Sequence, residues 1–318
     1  MILITGATGF VGRALVPRLV EGGLEVRCLI RPSRRTPRLP KGMPLQISIA
    51  SLSDERGLRA AMVGVDTVIH LAGAEWHGRR SDVFTVDAAG TRTLVEAARE
   101  AGVGRFIYLS HLGADRASAF AVLKAKGVAE EFIRQSGLPY TIVRSALLYG
   151  EEDVFLNVVA ALLKLGPGIF LMPGDGKISL QPLWVEDLVT CLEWSMSDLT
   201  SLNQTLSIGG PEFITFNQMV QTAMDVIGVR RLIVPIHPPF LRAGAWLLEH
   251  LLPRSPLTTH WLDYLAINRT CEVSSVSRYF GLKPARFVNT LDYLRHKRWW
   301  LEMARLIWGT SYSDPKSL

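Results

Sequence analysis

The feature that most constrains this chain is a glycine-rich turn directly after an apolar strand pattern. Ile2–Thr5 has the apolar character of a buried strand, and residues 6–12 read GATGFVG, which is a GxxGxxG spacing. Apolar periodicity then predicts a helix over residues 10–22. A strand, a glycine-rich turn and a helix in this order predict the start of a βαβ unit that binds a phosphate group.

Each glycine of this turn has its own physical reason. Gly6 permits the tight turn, Gly9 lets the backbone approach a pyrophosphate, and Gly12 lets the helix pack closely on the strand. The helix N-terminus adds free N–H groups and the positive end of the helix dipole. A glycine-rich turn without a ligand is the alternative. We predict dinucleotide contacts at Gly6, Thr8, Gly9, Phe10, Val11 and Gly12.

The rest of the first half alternates short β-branched runs with helical segments, which is the pattern of βαβ units around a parallel sheet. The strands are apolar almost throughout, as expected for a sheet covered on both faces. Strands are predicted at Leu24–Ile30, Leu45–Ile49, Thr67–Leu71, Arg105–Ser110 and Tyr140–Val143, and helices near residues 54–63, 87–101 and 118–136.

After Gly150 the pattern changes and becomes mainly helical. We predict a helix near 154–165, a strand near 178–183, a helix near 185–197, a strand near 204–208 and a helix opened by a capping box of Thr215 and Gln218. The predicted fold class is α/β, with a Rossmann-type doubly wound parallel sheet. We expect residues 1–150 to form the nucleotide-binding core, residues 178–209 to return to it, and residues 151–318 to form a smaller, mainly helical lid or partner region.

Composition excludes several other classes of protein. The 318 residues are 48% hydrophobic and 20% charged, with 35 Lys and Arg against 29 Asp and Glu, so the formal charge of +6 is too dilute to indicate nucleic-acid binding. The three cysteines are far apart, which predicts neither a metal site nor a disulfide framework. Met1 runs into the strand pattern without a secretory signal, so we expect a cytoplasmic protein, or one at the cytoplasmic face of a membrane.

Further motifs, together with the glycine turn, give a resemblance to a known family that covers nearly the whole chain. The chain resembles the extended and atypical short-chain dehydrogenase/reductase superfamily, and is most similar to the group with the NADPH-binding accessory subunit of respiratory complex I. The residues that best show the similarity to this group are Ser110-His111-Leu112. The resemblance implies further nucleotide contacts at Leu71, Ala72, Gly73, Ser145 and Leu147. The matching motifs are residues 65–73, 86–95 (with Asp87 where Asn is usual), 141–150 and 184–187.

The end of the second strand predicts which nucleotide binds. NAD-binding relatives carry an acidic residue there for the adenosine ribose, whereas here Ile30 leads into Arg31, followed by Arg34 and Arg35. Guanidinium groups suit a 2′-phosphate, so NADP(H) is favoured over NAD(H), with a solvated basic loop as the alternative. Ser51 and Leu52 are further contacts, in a segment where Ala50-Ser51-Leu52 replaces the family's Gly-Asp-Leu.

The catalytic residues are where the resemblance fails. The family uses a Tyr and, four residues later, a Lys that favours the phenolate and holds the nicotinamide ribose. Alignment on Glu130 makes Lys126 the counterpart of that lysine and places Val122 at the Tyr position. A register shifted to Lys124 places Phe120 there instead. Neither side chain moves a proton, and Lys126 is assigned to the ribose hydroxyls.

The remaining polar candidates lie at the end of the fifth strand. His111 stands where the family's catalytic hydroxyl is commonly found, and Ser110 is one residue earlier. An imidazole there is either a general acid near neutral pH or a hydrogen-bonded structural residue. The catalytic candidates are therefore His111, Lys126 and Ser110, with Ser110 and Lys126 also counted as nucleotide contacts.

The C-terminal half contains three apolar helical patterns. The first two, for which we expect mostly core packing, are Phe240, Leu241, Ala245, Trp246, Leu248 and Leu252 in one helix and Trp261, Leu262, Tyr264 and Leu265 in the next. The third is Trp300, Met303, Ala304, Ile307 and Trp308, preceded by the basic run 295–298. That third pattern fits an anionic membrane surface, a protein partner or packing on its own domain.

Three hypotheses of function follow. The first is a protein that holds a nucleotide, chiefly NADPH, without the proton-transfer tyrosine and acts in structure, sensing or assembly. The second is an oxidoreductase or isomerase for an apolar substrate, in which Lys126, His111 or water manages the proton. The third, a nucleotide-sensing regulator that binds a macromolecule, has no recognition motif to support it. A tyrosine brought from elsewhere in the fold would favour the second hypothesis over the first.

Overall fold

The computed structural model describes residues 1–33, 39–40, 42–74, 82–252, 255 and 257–308, except for the side chains of residues 305 and 308. Thirteen strands lie in this part of the chain: β1 (Ile2–Thr5), β2 (Val26–Ile30), β3 (Gln46–Ile49), β4 (Thr67–His70), β5 (Arg105–His111), β6 (Tyr140–Ser145), β7 (Leu148–Tyr149), β8 (Ile169–Pro173), β9 (Ser179–Leu180), β10 (Leu183–Trp184), β11 (Gln204–Ile208), β12 (Ile214–Thr215) and β13 (Leu232–Ile236).

Eleven α-helices are described, and the third is preceded by a π-helical turn at Phe84–Ala89. They are α1 (Phe10–Glu21), α2 (Glu55–Ala61), α3 (Gly90–Glu100), α4 (Ala121–Gln135), α5 (Phe155–Leu165), α6 (Val185–Trp194), α7 (Phe216–Ile227), α8 (Pro238–Leu251), α9 (Thr259–Asp263), α10 (Ser275–Phe280) and α11 (Trp299–Trp308). Short 3₁₀ turns occur at Leu199–Ser201, Phe287–Thr290 and Asp292–Leu294.

Seven strands form one parallel sheet in the order β3-β2-β1-β4-β5-β6-β11. Alternate side chains of each strand enter opposite layers, because successive residues of a strand point to opposite faces. Ile4 packs with α1 and α6, whereas Leu3 packs with α2, α3 and α4. The predicted α/β class, a parallel sheet covered on both faces, is confirmed.

A second core lies beyond the carboxyl end of β6. It is built from α5, α7, α9 and the segments around β8, and the Phe155 and Trp261 rings stack there with their centroids 4.8 Å apart. The strand β11 leaves this half and pairs with β6, while β8 pairs with β13 in a separate two-stranded sheet. The capping box at Thr215 and Gln218 is confirmed, since each side chain bonds the other residue's backbone N–H.

The structure corrects several predicted boundaries. The prediction of one strand at 178–183 is wrong: Gln181 and Pro182 separate β9 from β10, since proline has no N–H for a ladder bond. Leu24 and Leu45 precede β2 and β3, and Leu71 follows β4, whereas β5 and β6 extend to His111 and Ser145. The helix predicted from residue 87 begins as a π-helical turn at Phe84, and the other helices begin or end up to three residues inside their predicted limits.

The prediction that the apolar pattern of α8 packs in the core holds for Ala245, which lies in the second core, and for Leu241, which packs against it, and is wrong for Phe240 and Trp246. Ala245 is buried, but Phe240, Trp246, Leu247 and Leu251 are 75%, 56%, 51% and 69% exposed. The helix carries apolar side chains on its outer face as well as on its inner face. Hydrophobic periodicity alone cannot distinguish this arrangement from one wide apolar stripe that faces the core. Across the described residues, we find no helix with the length and hydropathy needed to span a bilayer.

Candidate functional site

The predicted contacts lie along one edge of the main sheet. Parallel strands place their carboxyl ends at the same edge, and in open α/β sheets ligands bind outside that edge. The turn after β1, Arg31 after β2, Ser51 and Leu52 after β3, residues 71–73 after β4, His111 at the end of β5 and Ser145 at the end of β6 all lie there. Sites that are distant in sequence therefore lie along one edge of the sheet, and we call the region just outside this edge the cleft.

The glycine turn has the geometry that a close-packed phosphate-binding turn needs. Gly6 has φ of 73°, a left-handed conformation that favours glycine. A Cβ on Gly12 would lie 2.3 Å from the Gly6 carbonyl oxygen, whereas a Cβ on Gly9 would meet that oxygen at 3.1 Å. No described side chain caps α1 at Gly9, so the first N–H groups of the helix stay available to an anion. These residues fit a bound pyrophosphate.

Arg31 follows β2 directly and is exposed, as a ligand for a 2′-phosphate must be. Arg34 and Arg35 lie outside the described residues. After β3 the Ser51 hydroxyl lies 2.5 Å from the Ser53 hydroxyl and accepts the Ser53 N–H at 3.0 Å. Leu52 packs on α3, where a Cβ on Gly90 would meet its side chain at 2.9 Å.

His70 ends β4 inside a buried network beneath the site. Its Nδ1 lies 2.5 Å from the Thr5 hydroxyl and its Nε2 lies 2.9 Å from the Thr91 hydroxyl, which donates to the Asp87 carbonyl oxygen. Burial, and secondarily the charge of Lys126, lowers the pKa of His70 from 6.5 to about 3. The imidazole is therefore neutral at physiological pH and serves as a structural link between β1, β4 and α3.

Lys126 forms a buried ion pair with Asp87. The ammonium lies 2.9 Å from the Asp87 Oδ1, with the two side chains 5% and 1% exposed. The other Asp87 oxygen accepts the Ala74 N–H at 2.9 Å, and Lys126 also donates to the Leu109 carbonyl oxygen at 3.4 Å. A Cβ on Gly73 would lie 3.4 Å from Nζ, so Lys126 does reach the β4 end of the cleft.

Ser110 is engaged away from the cleft. Its hydroxyl donates to the Glu130 Oε1 at 2.7 Å, and the carboxylate of Glu130 also accepts from Arg144 and Arg134 at 2.6 and 2.5 Å. Both Ser110 and Glu130 are fully buried. Glu130, the residue on which the resemblance aligns this helix, thus connects α4 to β5 and β6. The Ser110 hydroxyl has no exposed surface for a substrate.

His111 points the other way and contacts the C-terminal half. The Tyr264 hydroxyl lies 3.5 and 3.4 Å from its Nδ1 and Nε2, and the two rings meet edge to face at 86°. The Arg269 guanidinium lies over the Tyr264 ring, 4.3 Å from the centroid. All three side chains are buried. A phenol from far along the chain therefore lies beside the residue that occupies the position of the family's catalytic hydroxyl.

The position expected for the family tyrosine is apolar, as the sequence indicates. Val122 is buried with Ala74, Val83 and Ala88. Tyr108 is nearer in sequence to Lys126, but it is fully buried, and burial raises the pKa of its phenol far above the usual value. Sequence reasoning missed the place of Tyr264 in the site, because 153 residues separate it from His111 and it lies just after the short helix α9.

A family model described as NAD(P)H-binding matches residues 6–164. The chain belongs to this family. Together with the relatives that follow, the match confirms the predicted resemblance to the atypical short-chain dehydrogenase/reductase superfamily and the binding of a nicotinamide dinucleotide. Solved structures with a similar fold include one complex with NAD and one with NADPH.

Two relatives show the range of proteins that this family member resembles. NADH dehydrogenase (ubiquinone) 1 alpha subcomplex subunit 9, a mitochondrial protein of Arabidopsis thaliana, is 31% identical over 230 residues, which are 70% of this chain and 57% of the subunit. The chain thus spans less than two thirds of that subunit. The ceramide reductase of Caulobacter vibrioides is 30% identical over 318 residues, covering 94% of this chain and 96% of the reductase.

A solved structure shares the fold of this family member at low identity. The NADPH-dependent quinone oxidoreductase QOR2 of Escherichia coli, complexed with NADPH, has a TM-score of 0.74 and 19% identity, and the match covers 92% of this chain and 99% of that one. At this identity the likeness establishes the architecture alone.

Proposed function

We propose that this protein is an NADPH-dependent oxidoreductase that reduces an apolar carbonyl or quinone-like substrate. The observation that carries the proposal is the contact between Tyr264 and His111 at the same sheet edge as the dinucleotide turn. A reductase of this superfamily needs a hydride donor and a nearby proton source. The family membership accounts for the first, and the buried phenol supplies a group of the right chemistry for the second.

The surroundings of Tyr264 support an apolar substrate. Phe155 and Trp261 stack beside it, and the Tyr264 and Phe155 ring centroids are 6.0 Å apart. Apolar and aromatic walls with a few polar groups are typical of sites for small apolar molecules. The similarity to a ceramide reductase over almost the full length of both chains favours the same class of substrate.

The choice of NADPH is supported by the basic end of β2. Arg31 is exposed where NAD-binding relatives carry a carboxylate, and a guanidinium forms charge-assisted hydrogen bonds with a phosphate. Ribose contacts are proposed for Lys126, whose charge is held at the cleft by Asp87.

The second candidate is the nucleotide-holding protein, and a specific observation favours it too. None of the three positions of the usual proton relay offers a free proton donor: Ser110 bonds Glu130, Lys126 bonds Asp87, and Val122 replaces the phenol. The relative from the NADH dehydrogenase alpha subcomplex is in keeping with such a role, which would be structural or assembly-related.

The proposal includes a peripheral position on a membrane surface, at the cytoplasmic face. The terminal helix α11 buries Trp299 and packs Met303 on the second core, so it supports that position less than the sequence suggests, although Trp300 is 76% exposed. The outer face of α8, defined by Phe240, Trp246, Leu247 and Leu251, supports it better. Large apolar patches on a surface are typical of interaction sites.

A single-turnover measurement distinguishes the two candidates. Purified protein is loaded with one equivalent of NADPH, and the fluorescence of the bound nucleotide is followed after the addition of long-chain ketones, enones or quinones. The oxidoreductase oxidises the nucleotide with at least one class of acceptor and yields the reduced product. A nucleotide that stays reduced with every acceptor, while binding tightly, would instead identify a holding protein.

A further inference from the structure

Three side chains from separate segments meet at the junction of the two halves of the chain. His111 comes from the end of β5, Tyr264 follows α9, and Arg269 lies in the segment before α10. Their contacts are 3.4 Å between the phenol oxygen and the His111 Nε2, and 4.3 Å between the guanidinium carbon and the phenol ring centroid. We name this set the His111–Tyr264–Arg269 cluster.

Arg269 in this cluster is incompletely bonded. Its Nη2 donates to the Asp263 carbonyl oxygen at 2.9 Å, whereas Nε and Nη1 are buried without a hydrogen-bond partner among the described residues. Buried polar groups are nearly always hydrogen-bonded in proteins, so two unpaired N–H-bearing atoms on a cation indicate a role beyond packing. A cation on a phenol ring also favours the ionised form of that phenol over the neutral form.

The elements around Tyr264 hold it in place. Thr258 caps α9 by accepting the Trp261 N–H at 3.0 Å, and the Asp263 carboxylate accepts from Arg242 at 2.7 Å. The Trp261 ring stacks on Phe155. Because the phenol is positioned by a cap, an ion pair and a ring stack, its place against His111 belongs to the architecture of the second core.

We infer that Tyr264 is the proton donor of the reaction, replacing in space the phenol that Val122 cannot supply. Arg269 stabilises the phenolate, and His111 returns a proton to it from water. This inference rests on the proposed oxidoreductase function. It assigns to the C-terminal half a group that the superfamily ordinarily carries on the helix corresponding to α4, so the cleft would be chemically complete only with both halves together.

NADPH, when bound, would supply a hydride, that is, a proton with two electrons, to the carbonyl carbon, and would become NADP⁺ as its own C–H bond breaks. The π electron pair of the carbonyl moves to its oxygen, which forms a new O–H bond as the O–H bond of Tyr264 breaks. The product is an alcohol and Tyr264 is left as a phenolate beside Arg269. A proton from bulk solvent then restores the Tyr264 hydroxyl through His111, which gives up one ring proton to the phenolate and takes another from solvent, so the net reaction consumes one solvent proton.

The first test compares Tyr264→Phe with Tyr140→Phe. Both variants remove one phenol hydroxyl, but Tyr140 lies at the amino end of β6, on the opposite edge of the sheet from Ser145 and His111. We expect single-turnover NADPH oxidation to fall by at least ~100-fold in Tyr264→Phe, which is the low end of the effect of general acid catalysis. NADPH affinity, measured by fluorescence titration, should stay within twofold in both variants.

The second test needs no turnover. Protein labelled with ¹³C at the tyrosine ζ carbon is titrated by NMR, and the Tyr264 signal is assigned by its loss in Tyr264→Phe. In Arg269→Met the phenol should ionise at higher pH than in the wild type, because the cation that favours phenolate is gone. Tyr140→Phe identifies a second phenol signal, which should titrate identically with and without Arg269.

Each outcome decides a separate point. Loss of turnover in Tyr264→Phe with unchanged nucleotide affinity, together with the shift in Arg269→Met, supports the inference. Wild-type turnover that persists in Tyr264→Phe overturns the inference while leaving the oxidoreductase function intact. A phenol titration indifferent to Arg269→Met overturns the role of Arg269. Wild-type protein that oxidises NADPH with no acceptor overturns the proposed function itself, and the inference with it.

Discussion

The Lys126 ammonium lies 2.9 Å from the Asp87 carboxylate, and neither side chain has more than 5% of its surface exposed. The pair joins α4 to the π-helical turn before α3, at the place where the cleft passes the end of β4. The family resemblance implies Asn as the usual residue at the position of Asp87. Here the carboxylate supplies a full negative charge, which compensates the cost of burying the lysine.

Removing one member of this pair should destabilise the fold strongly. In Asp87→Asn the Lys126 charge loses its partner, and we expect the free energy of unfolding to fall by about 3 kcal/mol, which is typical of a broken buried ion pair. Lys126→Met should cost a similar amount, and the double variant clearly less than the sum. Urea unfolding of the four proteins measures the coupling. If the losses of unfolding free energy in the two single variants add exactly in the double variant, Asp87 and Lys126 do not stabilise the fold as a pair.

Two substitutions in the glycine turn should have different effects, one on packing and the other on nucleotide binding. Gly12→Ala places a Cβ 2.3 Å from the Gly6 carbonyl oxygen, so we expect thermal unfolding at a markedly lower temperature, with a loss of ~2 kcal/mol or more. Gly9→Ala meets its nearest atom at 3.1 Å and should fold, yet bind NADPH at least ~10-fold more weakly because a methyl group occupies the approach to the pyrophosphate.

The control for both glycine variants is Gly244→Ala on α8, where a Cβ would meet nothing within 4 Å. It should leave nucleotide affinity unchanged and stabilise the helix slightly. Wild-type affinity in Gly9→Ala would argue against a pyrophosphate at this turn.

Nucleotide preference should depend on Arg31. We expect the wild type to bind NADPH more tightly than NADH, and Arg31→Ala to lose roughly tenfold in NADPH affinity with little change for NADH, as expected for one charge-assisted hydrogen bond to a phosphate. Arg99→Ala removes the same charge from the exposed end of α3 and is the matched control. Equal affinity of the wild type for both nucleotides would remove the 2′-phosphate assignment.

Acid should weaken the fold through His70. Its pKa is about 3 in the folded protein and near 6.5 unfolded, so between these pH values the unfolded chain binds a proton that the folded chain does not. His70 is therefore expected to lower the free energy of unfolding by about 1.4 kcal/mol for each pH unit below 6.5, until about pH 3. The loss is absent above pH 6.5, where both states are neutral.

The measurement compares wild type with His70→Gln by urea unfolding from pH 7 to pH 4. Asp153 acts in the opposite sense, since burial raises the pKa of its carboxyl group from 3.8 to about 6, and its contribution is lost as the pH rises through that range. The difference between the two proteins isolates His70. Parallel pH curves would mean that the folded imidazole does take up the proton.

Membrane attachment should depend on the outer face of α8. We expect sedimentation with anionic vesicles to fall at least several-fold in Phe240→Ser/Leu251→Ser, because the two most exposed apolar side chains of that face are removed. Leu199→Ser changes a leucine that is 80% exposed outside this face and should leave binding unaffected. A chain shortened by residues 295–318 tests the terminal helix in the same assay. If the α8 variant binds as the wild type does, this face has no part in attachment.

Much of the fold could be predicted from local patterns. Local sequence determines the backbone conformation at the turn of Gly6, Gly9 and Gly12 and in the apolar strands around it, because steric limits act within a few residues. The loss of the usual catalytic phenol was equally visible at Val122. Boundaries failed where tertiary contacts decide them, as at Pro182, which splits the predicted strand.

The rest of the site could not be predicted because it depends on distant packing. Tyr264 lies in an apolar run that has the same composition as a buried core segment, and only the folded chain brings its hydroxyl to His111. The exposure of Phe240 and Trp246 on α8 was missed for a related reason, since apolar side chains beyond the core-facing stripe of a helix hide the limits of that stripe. Arg34 lies outside the described residues, so its predicted phosphate contact stays a prediction.

The pairing of β11 with β6 has a consequence for biosynthesis. A nascent chain that has been translated only through the first six strands still lacks the outermost one, and the hydrogen-bonding groups along the free side of β6 stay unpaired until residue 208 has left the ribosome. Unpaired strand edges template aggregation. During that interval the free side of β6 is open to pairing with another chain, and a division of the protein at residue 150 would separate β6 from the strand that covers it.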